Sequence, residues 1–315
     1  LSYTFINLIF FMNNRFLNIY VDSLTKEINK NKISKEYDLI FDGGAFNGLM
    51  GQGVCLYIRS LMKIHKFKVV RVSGCSIGAF LATMFVSEID YDLEEAFTTM
   101  ISSFKKTLLL QQYHILLKKY IYTVFKSDDL HHLTNKLYIS YWDMKKRKQI
   151  IISKYKNRKY LIKVLIRSSH IPYISTNELK YKGRYIDGIS PYVFREKIRP
   201  GIFVSLVTRK LYSKALNIKN EYCTGPRILY GIMDANDFFE KGNSDMCSYI
   251  SNWNIFMKLS LRLRELILCI IISWLEIFIY FKHNLPNWCI NNLIIKGIIN
   301  VCKQAYIDII DHMIH

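Results

Sequence analysis

Short apolar runs alternate with glycine clusters through the first eighty residues. Tyr37-Asp38-Leu39-Ile40-Phe41 reads as a buried strand and runs directly into Asp42-Gly43-Gly44-Ala45-Phe46-Asn47-Gly48. Beyond that loop Met50, Val54, Ile58, Leu61 and Met62 recur at helical spacing, which predicts a helix with one buried face. A β-branched run, Val69-Val70-Arg71-Val72, then leads through Ser73 into Gly74-Cys75-Ser76-Ile77-Gly78. The nearly unbroken apolar stretch over residues 79–86 follows as a buried helix. Strand, glycine loop, helix and strand form a βαβ crossover, which implies a parallel sheet with a right-handed connection.

The pattern loosens downstream. Asp92-Leu93-Glu94-Glu95 has the spacing of a capping box and predicts a helix running to about Lys106. Residues 107–140 read as helical with mixed polarity. Gln149-Ile150-Ile151-Ile152-Ser153 reads as a strand, with Lys156-Asn157-Arg158 as the tip of its hairpin. Leu161, Val164 and Leu165 mark the buried side of a short helix. Residues 181–186 read as a hairpin turn and strand, and residues 201–207 as the next core strand. Upstream, residues 13–36 read as a polar helix and a linker, and residues 5–12 as a packing or membrane-touching segment. Near the other end, residues 266–281 are almost uninterrupted apolar sequence, broken by Ser273 and Glu276 and flanked by Arg262, Arg264 and Lys282. The stretch is slightly short for a span of ~20 residues, so a helix covering the core is expected ahead of one lying on or crossing a membrane. A second apolar helix is expected over 293–310, after the break at Asn284-Leu285-Pro286-Asn287. Three regions follow: 1–36, 37–210 and a helical C-terminal region, 211–315.

Composition narrows the class. Half of the 315 residues are hydrophobic, enough to build a sizeable core. The net charge of +19 points to nucleic acid, to an anionic membrane surface, or to a chain-wide bias toward lysine. No zinc-finger, RRM or basic-zipper pattern accompanies it, which argues against nucleic acid. The cations bracketing 149–153 either keep a sheet edge solvated or face lipid phosphates. Seven scattered cysteines without a C-x-x-C indicate reduced thiols in an intracellular protein and argue against zinc. His131 and His132 are adjacent and face different ways on a helix, and His65 and His114 lack a partner at ligand spacing. No metal site is expected.

The chemistry concentrates in the two glycine clusters. A G-x-S-x-G between strand and helix is the sequence form of a nucleophile elbow. Gly74 and Gly78 let strand and helix approach closely around a strained Ser76, and the helix N-terminus favours a nearby oxyanion. The 42–48 loop has neither of the nucleotide-binding spacings. An oxyanion hole remains, because acyl transfer needs backbone N–H groups aimed at the developing negative charge, and Gly43 and Gly44 leave theirs unshielded.

These stretches, with Arg167-Ser168-Ser169-His170-Ile171-Pro172 and Asp187-Gly188-Ile189, resemble the patatin-like phospholipases. Those enzymes carry D-G-G-G-x-[RK]-G, G-x-S-x-G, S-S-x-I-P and D-G-[GA] in this order, and the resemblance covers residues 37–210. It implies an α/β fold with a doubly wound, mostly parallel sheet. It implies a dyad in which Ser76 attacks an acyl ester while Asp187 accepts the proton and later activates water. Gly43, Gly44 and Ala45 would form the oxyanion hole, with Asp42, Gly48, Gly74, Gly78 and Gly188 completing the motifs. The substrate would be a phospholipid or another acyl lipid, no cofactor is needed, and a transacylase would differ only in its acceptor. No histidine is expected in the mechanism; those after Asp187, at 283, 312 and 315, fall in the unmatched region. Three positions depart from the pattern. Ala45 replaces a glycine, at a cost on the order of 1 kcal/mol if φ is positive there. Asn47 replaces a basic residue, and Ile189 a small one. A catalytically silent lipid-binding or scaffold protein is the alternative. Association with an anionic membrane surface, peripheral or integral, is expected in either case.

Overall fold

A computed structural model describes residues 14–88, 94–110, 112–196, 198–208, 210–211, 213–215, 217–219 and 224–284, with a few positions between 296 and 308. The segment 5–12, the cap residues Asp92 and Leu93, and most of 293–310 lie outside the described residues.

The sheet is built outward from the crossover. Strand β1 (Glu36–Phe41) pairs in parallel with β2 (Lys68–Cys75), and β2 pairs in parallel with β3 (Leu137–Asp143). On the other side of β1 lies β6 (Gly201–Val204), also parallel. Antiparallel strands finish the sheet. The hairpin partner β4 (Lys148–Ile152) forms one edge, β7 (Cys247–Tyr249) the other, and the two-residue β5 (Tyr185–Ile186) pairs with β3. The order is β4-β3-β2-β1-β6-β7, so the fold is α/β with a mixed seven-stranded sheet. The chain winds outward on one side of β1 and resumes on the other. In open α/β sheets such a reversal leaves a crevice beyond the carboxyl ends of the strands, where ligands bind.

Successive strand residues face opposite sides of the sheet. Leu39, Phe41, Ile202 and Val204 enter the large core. It is closed by α2 (Gly48–His65), α3 (Ile77–Ser87) and α7 (Gly225–Lys241), with α4 (Glu94–Thr107), α5 (Gln112–Val124) and α6 (Arg158–Ser168) adding to it. Ile40 and Phe203 point the other way, into a small cluster with Phe194 and Trp253. That face is covered thinly, by the chain around 190–194 and by the 30-residue helix α8 (Ile255–Asn284). The N-terminal helix α1 (Asn14–Glu27) packs on α2, where His65 Nε2 donates to the carbonyl of Thr25 at 2.8 Å. His65 therefore fastens two helices together.

Three expectations change. Residues 107–140 are not continuously helical. After α5 the chain makes a short 3-10 turn at His131–Leu133, with both histidines exposed, and enters β3. The β-branched and aromatic run Leu137-Tyr138-Ile139-Ser140-Tyr141-Trp142 alternates between the two cores and belongs in a sheet. The β3–β4 hairpin turns at residues 144–147, not at Lys156-Asn157-Arg158. Asn157 instead caps α6, its side chain accepting from the Tyr160 amide at 2.9 Å. The boundary at 210 does not separate a helical region from the α/β domain, because β7 completes the sheet and α7 lies directly on α2. A Cβ on Gly53 would sit 2.0 Å from the Ile228 carbonyl oxygen, and one on Gly231 1.9 Å from that of Met50. The two backbones touch where both helices lack side chains. No helix among the described residues is long and apolar enough to cross a membrane.

This contact generates a direct expectation. Gly231→Ala should lower stability by about 3 kcal/mol, because the added methyl meets backbone and not a yielding side chain. A urea midpoint unchanged by the substitution would show that α7 does not pack there.

Candidate active site

The elbow is a backbone feature first. β2 ends at Cys75, α3 begins at Ile77, and Ser76 between them has φ 54° and ψ −131°. A non-glycine residue held there costs on the order of 1–3 kcal/mol and persists only where its surroundings enforce it. Two close approaches do so. A Cβ on Gly74 would lie 2.1 Å from the Gly78 carbonyl oxygen, and one on Gly78 would lie 2.3 Å from that of Asp42. The ends of β1 and β2 and the first turn of α3 meet at these glycines. The Ser76 amide donates to Ser168 Oγ at 3.0 Å, and the Ser168 hydroxyl donates to the Ser140 carbonyl at 2.6 Å. Fully buried Ser168 thus ties the elbow to β3.

Asp187 arrives from the opposite direction. At the end of β3, Asp143 takes the guanidinium of Arg184 in a bidentate pair at 2.6–3.0 Å, which holds that carboxyl below its usual range and fixes the turn before β5. The next two amides bond across to the 168–170 stretch: Asp187 N–H to the His170 carbonyl at 3.0 Å and Gly188 N–H to the Ser168 carbonyl at 2.9 Å. The result is a dyad, with Ser76 Oγ donating to Asp187 Oδ2 at 2.7 Å. Asp187 Oδ1 is shut off from solvent and has no partner. Burial raises the carboxyl pKa, the Ser76 hydrogen bond opposes this, and the charge of Asp42 adds to the rise, bringing it to about 7. A carboxylate poised there can take a proton from a hydroxyl near neutral pH.

The glycine loop meets the dyad from β1. A Cβ built on Gly43 would lie 3.1 Å from that of Ser76. The Gly43 amide, however, donates to Asp42 Oδ1 at 2.9 Å, so it is engaged and not open to an oxyanion. Among the described residues the Gly44 and Ala45 amides have no acceptor. The Ile77 amide heads α3, where the first helical N–H groups lack internal acceptors. Those three are open donors near Ser76 among the described residues. Ala45 has φ 44°, so alanine does occupy a left-handed position there. Asn47 is wholly buried, donating to the carbonyls of Leu206 and Leu211 and accepting from Arg227 at 2.8 Å. Arg227 of α7 thus brings a cation to the side chain of Asn47. Asp42 itself is paired with Arg264 of α8 at 2.9 and 3.1 Å, close to the Cys75 thiol. Burial and the charges of Asp42 and Asp187 push that thiol well above its usual range.

Beside the loop lies a cavity of about 60 Å³, lined almost wholly by carbon. Ala45, Gly48 and Ile77 contribute from the loop and elbow, and Phe97, Met100, Leu117 and Tyr120 from α4 and α5.

Sequence patterns brought Ser76, Asp187, Asp42 and the glycines to one place and assigned no role to Ile77, Arg227 or Arg264. Ser168 stood in a marked stretch, but its contact with the elbow was not legible. Among the described residues no histidine ring hydrogen-bonds to Ser76 or Asp187, and no group of three or more His, Cys, Asp or Glu side chains gathers. The side chains of His283, His312 and His315 lie outside the described residues. No protein-family model matches the chain, and no curated protein matches it.

The raised pKa of Asp187 fixes a sign. Its folded value lies above the unfolded one, so its proton favours the fold fully below about pH 4, and that stability is lost as pH rises through about 7. Asp187→Asn should therefore stabilise the protein at pH 8 by roughly 2–4 kcal/mol and leave it nearly unchanged at pH 4. Thermal unfolding at the two pH values measures the difference; an equal shift at both would contradict a buried, titrating carboxylate.

Proposed function

We propose that this protein is a serine acyl hydrolase of the patatin-like kind, acting on ester-linked acyl chains of lipids. The observation that carries the reading is the 2.7 Å hydrogen bond from Ser76 Oγ to Asp187 Oδ2 at a left-handed strand–helix turn. Ser76 attacks the ester carbonyl as Asp187 takes its proton. The negative charge that develops on the carbonyl oxygen is met by the Gly44, Ala45 and Ile77 amides and by the N-terminus of α3. The proton passes to the leaving alcohol, and Asp187 then activates water against the acyl-enzyme. The apolar cavity beside Ala45 and Ile77 has room for the first few carbons of an acyl chain, and it adjoins the atoms that would hold the carbonyl. A transacylase would use the same groups with an alcohol in place of water.

One observation favours a second reading, a catalytically silent lipid-binding protein: the Gly43 amide turns into Asp42 and away from the oxyanion position. A fluorophosphonate probe separates the two. The hydrolase reading expects covalent labelling of the wild type and none of Ser76→Ala. It also expects short-chain ester hydrolysis that rises with a limb near pH 7 and is abolished equally by Ser76→Ala and Asp187→Asn, because the pair acts as a unit. Single changes of His65, His114 or His170 to Gln should leave most of the activity. A histidine change as damaging as Ser76→Ala, in a protein that stays folded, would overturn the dyad.

The cavity makes a separate expectation about chain length. Met100→Trp should fill it from α4, keeping acetate ester hydrolysis and lowering kcat/KM for an octanoate ester about tenfold or more. If both esters respond alike, the acyl chain lies elsewhere.

A further inference from the structure

Helix α8 wears its polarity inside out. Three of its charges lie against the domain, each with a partner, while Lys258 and Arg262 stay exposed. Arg264 holds Asp42, Glu265 accepts from Ser190, and Glu276 pairs with Lys180. The side toward solvent is apolar. Leu263, Leu266, Ile267, Ile270, Ile271 and Trp274 recur at intervals of three and four and are all exposed, Trp274 by 67 %. With Ile277 they form one stripe of about 21 Å, at 1.5 Å per residue. Water does not stabilise such a face, and a contiguous apolar patch of this extent marks an interaction surface.

Charge around the stripe selects the partner. A groove of about 670 Å³ runs along α8 beside Leu266 and Ser273; there Lys180 and Arg262 pair with Glu276 and Glu265, and Lys145 and Arg147 leave its edge net positive. The exposed end of the 144–147 turn therefore stands next to the apolar face. A second copy of the chain docked two-fold on this face would bring one cationic rim toward the other. A bilayer with anionic headgroups offers apolar depth under the stripe and negative charge at its rim, and aromatic residues such as Trp274 and Tyr280 favour that boundary. No described helix is long and apolar enough to span, so the geometry is in-plane.

We infer that the outward face of α8, together with the 144–147 turn, docks this protein in the plane of an anionic lipid bilayer surface. The inference goes beyond the hydrolase reading and stands whether or not Ser76 is active. It also gives the Arg264–Asp42 pair a second meaning, since that pair joins the docking helix directly to the glycine loop.

The test is co-sedimentation of the full chain, carrying Ser76→Ala to keep lipid intact, with phosphatidylcholine vesicles with and without about one-third phosphatidylglycerol. Binding should be strong to the anionic vesicles, weaker to the neutral ones, and should fall as salt screens the rim. Ile271→Glu should leave the melting temperature within a few degrees and reduce binding about tenfold or more. Lys145→Glu with Arg147→Glu should remove the preference for anionic lipid. In the otherwise wild-type chain, Ile271→Glu should leave short-chain ester hydrolysis unchanged, which separates this inference from the catalytic one. No binding to either vesicle overturns the proposal, as does undiminished binding by Ile271→Glu. A large loss of stability in that variant without loss of binding would mean that the face is covered by protein. A dimer that Ile271→Glu dissociates and vesicles do not would give the face to a second copy.

Discussion

Everything at the candidate site depends on three backbone segments meeting without side chains between them. The carbonyls of Asp42 and Gly78 lie where Cβ atoms would stand on Gly78 and Gly74. That approach brings the end of β1, the end of β2 and the start of α3 within contact distance, and it holds Ser76 in a conformation L residues avoid. The strain has a use on the proposed reading. A relaxed turn would fold Ser76 into the helix, whereas this one presents its hydroxyl to Asp187 and leaves the first amides of α3 free.

A second constraint is electrostatic. Two carboxylates, Asp42 and Asp187, stand near one another at the carboxyl end of the parallel strands, and the charge of Asp42 resists the ionisation of Asp187. The structure treats them differently. Asp42 receives Arg264 and the Gly43 amide. Among the described residues Asp187 receives only the Ser76 hydroxyl, and its other oxygen is buried without a partner. One carboxylate is thereby committed to structure, while the other keeps a proton affinity near neutrality at a cost in stability. Arg264 comes from α8, so a helix with a mostly exposed surface supplies the neutralising charge for the most buried loop of the site.

Much of this was legible along the chain, for physical reasons. Backbone geometry demands particular residue types locally, so the glycines of the elbow and loop, the strand before each, and the helical periodicity after them announced the crossover from β1 to α3. Ser76 could be read from the same motifs, Asp187 through the resemblance that Asp187-Gly188 carries, and Ala45 could be marked as strained if its φ were positive. The strand β3 could not be read from polarity alone: its residues are buried on both faces, so no two-residue alternation shows, and the apolar content resembles that of a helix.

Contacts between segments far apart in sequence leave no periodic trace, and the tertiary structure alone decided them. Nothing near Asn47 foretold that Arg227, 180 positions later, would donate to its side chain. The engagement of the Gly43 amide by Asp42 turns on a side-chain rotamer, and the link from Ser168 to Ser76 on how α6 lies against β3. The apolar stretch in α8 was plain, but its direction was not. A hydrophobic run states that burial is favourable; only the placement of Arg264, Glu265 and Glu276 against the domain determined which side of the helix remained uncovered.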